Sequence, residues 1–170
     1  NVSATDLDCP GFVQSLLARH AAHGLPHDAI EIEVVERAPV EPGSVGESNL
    51  AELSRLGVPV SIDDFGCAYA DATRLANMPA TKLKLDRSLV RTAAGPAGRQ
   101  WLQSLVRHAH GRGIEVVAEG IETHEELTQM VDVGCDYVQG FLLATPKPGS
   151  EMVRYLIPAC EERSRRASAL

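Results

Sequence analysis

Acidic and amide side chains recur at the ends of short apolar runs in this chain. Asp63 and Asp64 end VPVSI, Asp86 ends LKL, Glu119 ends IEVVA, Gln139 ends DYV, and Glu33 and Glu36 close IEIE. Carboxylates gathered at one edge of a sheet repel strongly unless cations sit between them. Oxygen donors of this kind suit Mg²⁺, Mn²⁺ or Ca²⁺ rather than zinc. The adjacent pair Asp63-Asp64 can serve two ions, one carboxylate bridging while its neighbour binds the second. Two ions about 4 Å apart form the usual clamp for phosphodiester hydrolysis.

Each candidate also has a plain structural use. Asp63-Asp64 before Phe65-Gly66 reads, by itself, as a turn and helix cap. Lys84, in an apolar strand, pairs with Asp86 or reaches solvent. Glu122 serves equally as a first-turn helix charge that favours the dipole. What tips the reading toward a site is that all the candidates share one position, the end of a strand.

The elements that carry them alternate. Phe12, Val13, Leu16 and Leu17 predict an amphipathic helix over Asp6 to His23, with Gly24 as its stop. IEIEVV at 30–35 predicts a strand, with Ile30, Ile32 and Val34 on one face. Leu50, Leu53 and Leu56 predict a helix over 48–56, ended by Gly57. Strands follow at Val58 to Ile62 and Lys82 to Leu85, with a short helix between them at Asp71 to Met78. Ser88 to Gly111 reads as two helical pieces broken at Gly95-Pro96. Ile114 to Ala118 is a strand, Thr123 to Val133 a helix ended by Gly134, and Tyr137-Val138 a brief strand. A last helix starts near Ser150 and runs into the basic tail Arg163 to Arg166. With a short strand at Asn1 to Ser3, about six strand–helix units result, which means a parallel sheet. A doubly wound sheet and a barrel both fit that count. In a barrel the active site lies at the C-terminal strand ends, where the candidates stand.

The formal net charge of −7 over 170 residues argues against a nucleic-acid groove or a membrane-surface patch. Metal ions can reverse that charge locally for a small anionic ligand. Cys9, Cys67, Cys135 and Cys160 have neither CxxC pairing nor zinc spacing and read as reduced thiols of a cytosolic protein. No apolar run approaches the roughly 20 residues that span a bilayer. The chain starts at Asn1 rather than methionine, which reads as an internal piece of a longer protein.

Six segments, in order, are similar to the motifs of EAL-domain cyclic di-GMP phosphodiesterases: NVSATDL, IEIEVVER, SIDDFG, LKLD, VVAEGIET and YVQGF. The resemblance implies a TIM-like α/β barrel, (βα)₈, entered at the end of its third strand. Residues 1–150 would then be a partial domain, strands three to eight, and 151–170 its C-terminal helix and basic tail. The Glu-Ala-Leu motif would lie upstream of Asn1. Such a partial barrel leaves two open sheet edges.

By the same resemblance, Asn1, Glu33 and Asp63 bind one Mg²⁺ or Mn²⁺, and Asp63 bridges to a second that Asp64 and Glu119 complete. Lys84 matches the lysine that holds the attacking water. Asp86, Glu122 and Gln139 match supporting or substrate-side positions, and Glu36 a brace for the loop after the fifth strand. The implied reaction opens cyclic di-GMP to linear pGpG in bacterial second-messenger signalling. A cytoplasmic homodimer with an upstream sensor or GGDEF domain is the implied setting. One segment departs from the pattern: Cys67-Ala68-Tyr69-Ala70-Asp71 stands where the family usually has Thr-Gly-Tyr/Phe-Ser-Ser. The family loop helps to hold the second metal and couples to dimerisation. The departure suits the alternative of a non-catalytic module that acts as a cyclic di-GMP receptor or protein-interaction domain.

Overall fold

The computed structural model describes residues 1–35, 40–66 and 78–152. Glu36, the loop 67–71, nearly all of the helix expected at Asp71 to Met78, and the chain after 152 lie outside the described residues. The helix expected at Asp6 to His23 is two helices, α1 (Ala4–Leu7) and α2 (Phe12–Ala21). Pro10-Gly11 separates them: proline cannot donate to a helix, and Gly11 sits at φ 80°, which a side chain would resist. Ser3 and Asp6 form a reciprocal capping box on α1.

Next come β1 (Ile32–Val35), α3 (Val45–Arg55), β2 (Val60–Phe65) and β3 (Lys82–Leu85). Helix α3 begins three residues before the sequence expectation because the Ser44 side chain caps it by accepting from the Glu47 N–H. Then follow α4 (Arg87–Thr92), α5 (Pro96–His110), β4 (Glu115–Ala118), α6 (His124–Val133) and β5 (Tyr137–Val138). The break at Gly95-Pro96 falls where expected, with Pro96 opening α5.

The described strands form one parallel sheet in the order β1-β2-β3-β4-β5. Strand order follows chain order without a reversal, so the sheet is not doubly wound among these residues. Asn1 to Ser3 supplies only a single parallel bridge, Val2 to Val34, in place of a sixth strand. One face of the sheet is packed by helices. Ile32, Val34 and Val60 meet Leu7, Val13, Leu50 and Leu53 from α1 to α3. Leu83, Leu85, Val116 and Ala118 meet Val90, Leu102, Leu105 and Met130 from α4 to α6. Helix α5 buries Leu102, Leu105, Val106 and Ala109, the spacing of one helical stripe. Cys9 and Cys135 are free thiols, and burial pushes the Cys135 thiol up to about 11.

Candidate metal centre and cleft

Alternation along the strands sends the other half of their side chains to the opposite face. In register, Glu33 lies across from Ser61, Ser61 from Lys82, and Lys84 from Val117. Strand β2 is irregular there: Ile62 pairs with Leu83 and Phe65 with Leu85, so Asp63 and Asp64 together oppose Lys84. That is a bulge, which re-aims side chains at a strand end. Asp64 takes the left-handed conformation at φ 55°, which Asp tolerates better than most residues. The sequence reading put both aspartates just after the strand. They lie inside it, and the bulge lets neighbouring residues serve one side.

Lys84 is the hub. Its Nζ donates to Glu33 Oε1 at 2.8 Å and Asp63 Oδ1 at 2.8 Å, and ion-pairs Glu119 Oε1 at 3.0 Å. The lysine is therefore partnered by three carboxylates drawn from three strands or strand ends, while Asp86 caps α4 by accepting from the Ser88 N–H. Burial by itself would lower the Lys84 pKa, but Asp63, Glu33 and Glu119 outweigh it and raise it above the ordinary lysine range. Glu119 is also raised, which is the wrong direction for a simple ion pair. Its burial is the largest cause, and Asp63 and Glu33 add like-charge repulsion that Lys84 does not cancel.

Asp63, Asp64 and Glu119 each place one carboxylate oxygen within 4.8 Å of the others. Asp63 is buried, Asp64 exposed and Glu119 between the two. The donors are all oxygen, and four carboxylates, counting Glu33, face one ammonium. That surplus of negative charge and the hard donor set fit a divalent cation of the Mg²⁺ or Mn²⁺ kind. Asn1 is exposed and is held beside β1 by the Val2 N–H, which donates to the Glu33 carbonyl at 2.9 Å.

A cleft of about 310 Å³ adjoins the cluster, lined by Arg87, Glu119, Gly120, Glu122, Gln139 and Gly140 with Phe141 at its edge. Gln139 is fixed through its backbone: its N–H donates to the Ala118 carbonyl and its carbonyl accepts from Ile121. Glu122 forms an ion pair with Arg87. Sequence reasoning overlooked Arg87. The signal was its place directly after Asp86 at a strand end, a cation among acids.

A parallel sheet with helices on one face and an oxygen-rich cluster at its C-terminal strand ends defines an α/β domain with an acidic cluster that could hold a metal ion. The chain belongs to the EAL domain family, whose model matches residues 1–146. It is 35% identical over 147 residues to the cyclic di-GMP phosphodiesterase PA2567 of Pseudomonas aeruginosa, covering 86% of this chain and 25% of that protein. Among solved structures, it matches the EAL domain of Mycobacterium smegmatis DcpA with TM-score 0.85 and 34% identity, over 93% of this chain and 71% of that one. It also matches Klebsiella pneumoniae BlrP1 in complex with manganese and cyclic di-GMP, with TM-score 0.72 and 35% identity, over 79% of this chain and 34% of that one. A second BlrP1 complex holds calcium and cyclic di-GMP. The chain spans between 20% and 40% of the length of the curated relatives it matches. Among the described residues no helix is long and apolar enough to cross a membrane.

Proposed function

We propose that this chain is the larger part of a phosphodiesterase domain that hydrolyses cyclic di-GMP to linear pGpG with two Mg²⁺ or Mn²⁺ ions. The observation that carries the reading is the Lys84 ammonium bound by Glu33, Asp63 and Glu119 beside Asp64, in a member of this family. Asn1, Glu33 and Asp63 would hold one cation, and Asp63, Asp64 and Glu119 the other. When bound, the cations supply a water acidified toward neutrality and neutralise charge on the phosphoryl oxygens.

The chain's own groups do the rest. Lys84 orients the attacking water and adds positive charge where negative charge grows. Glu119, Asp63 and Asp64 keep the donor set fixed, so that little rearrangement accompanies reaction. Asp86 holds the start of α4 in place, Glu122 and Gln139 shape the cleft that receives the dinucleotide, and Glu36 is read, by the family resemblance, as the brace for the loop after the fifth barrel strand, β2. The domain is read as a cytoplasmic homodimer, coupled to a sensor or GGDEF domain elsewhere in the protein.

A second reading, a cyclic di-GMP receptor without turnover, is favoured by the altered sequence Cys67-Ala68-Tyr69-Ala70-Asp71. Chromatography separates the two. The full-length protein with Mn²⁺ and cyclic di-GMP should produce pGpG, and Lys84→Ala should stop production while retaining much of the binding. Binding without pGpG from the unmutated protein would establish the receptor reading instead.

A further inference from the structure

Arg87 opens α4 and lies across the loop that carries Glu119. A Cβ placed on Gly120 would come within 2.8–2.9 Å of the Arg87 Cβ, Cγ and Cδ atoms, so the arginine stem rests directly on that glycine. The guanidinium then reaches on to ion-pair Glu122. Arg87 thus touches the loop one residue and three residues after Glu119. Other bonds fix the same loop: the Glu119 N–H donates to Leu85 at 3.0 Å, Ile121 to Gln139 at 3.1 Å, and Glu122 to the Glu126 carboxylate at 2.8 Å. Gly120 itself is at φ 70°, a left-handed conformation that a residue with a Cβ would resist.

Glu119 needs such a restraint. Its carboxylate is partly buried beside Asp63 and Asp64 and ion-pairs the Lys84 ammonium at 3.0 Å, so its aim into the cluster depends on how its loop is held. The Arg87 Nε is buried and has no hydrogen-bond partner among the described residues.

We propose that Arg87 is a positioning residue that, through Gly120 and the ion pair with Glu122, aims the Glu119 carboxylate into the metal cluster. This rests on reading Asp63, Asp64 and Glu119 as cation ligands. Groups behind the first ligands commonly set metal affinity by roughly 10–100-fold, because they fix the ligand's orientation before the ion arrives.

The test is Mn²⁺ titration calorimetry on the full-length protein. Arg87→Met keeps the stem over Gly120 and removes the guanidinium. Glu122→Gln removes the other partner with little change in shape. Each should weaken Mn²⁺ binding by about 10-fold or more, the double variant should lose no more than the worse single one, and Arg87→Lys should recover part of the loss. Unchanged Mn²⁺ affinity in Arg87→Met, or additive losses in the double variant, would overturn the proposal. Should Arg87→Met fail to fold, Glu122→Gln with unchanged affinity would overturn it alone. Absence of Mn²⁺ binding by the unmutated protein is a separate outcome, which would overturn the reading of the site itself.

Discussion

On the helix-covered face of the sheet, Val34, Ile62, Leu83 and Val116 are at most 2% exposed and belong to the apolar clusters. On the opposite face the same strands carry Glu33, Asp63 and Lys84, with Glu119 just beyond β4. One residue of offset separates the two sets, because strand side chains alternate. The covered face supplies apolar burial, the main favourable contribution to folding. The opposite face gathers like charges that, among the described residues, Lys84 offsets. The comparison teaches that stability and chemistry are separable here by a single step in the strand register.

Substitutions on each face should therefore break different properties. Leu83→Ala, at a fully buried position, should cost about 2–5 kcal/mol of unfolding free energy in urea titration, with Mn²⁺ affinity intact in the protein that remains folded. Loss of Mn²⁺ binding from that folded fraction would show the two faces to be coupled. Lys84→Met should have a smaller effect of opposite character. It leaves three carboxylates without their cation and should destabilise the metal-free protein, by less than the roughly 3–5 kcal/mol of a fully buried pair because the carboxylates are partly exposed. Because a divalent ion binds the native state and supplies the missing charge, Mn²⁺ should recover that loss. An equal loss with and without Mn²⁺ would place the effect in packing instead.

The smallest effect should lie away from both sets. Asp136 Oδ2 accepts from the Val116 N–H at 2.7 Å and meets His110 Nε2 at 2.8 Å, tying α5 to the sheet. Burial by itself would raise this carboxyl, but the Val116 N–H and His110 outweigh it and hold it below the usual value of 3.8. A carboxyl lowered in the folded state binds fewer protons there than in the unfolded state, so its stabilisation is present above the ordinary value. It is lost as pH falls through the lowered one. Asp136→Asn should lower the urea midpoint slightly at pH 7 and make no difference in strong acid. A difference that persists unchanged into acid would mean the carboxylate charge plays no part.

Local signals carried much of this architecture. Strands β3 and β5 run over the residues that their apolar runs marked, and Gly95-Pro96 opens α5 and Gly134 ends α6 where a backbone argument puts them. The Pro10-Gly11 break was outweighed in the sequence by the apolar spacing that continues across it. The acids at strand ends were legible as candidates because strand alternation and strand end are local properties. Their grouping was less so. Lys84 meets Glu33 and Asp63 across 51 and 21 residues of chain, and only inter-strand register decides which acids a lysine reaches. The bulge at Asp63-Asp64 and the reach of Arg87 over Gly120 belong to the same category, set by packing between distant segments.

The most direct measurement is Mn²⁺ titration calorimetry of the full-length protein against its Asp63→Asn variant. Asp63 is the buried member of the oxygen cluster and also a partner of Lys84, so it stands at the centre of the charged face. If that face is a metal centre, the unmutated protein should bind Mn²⁺ and the variant should lose binding at the shared position. Equal Mn²⁺ affinity with and without the Asp63 carboxylate would contradict it.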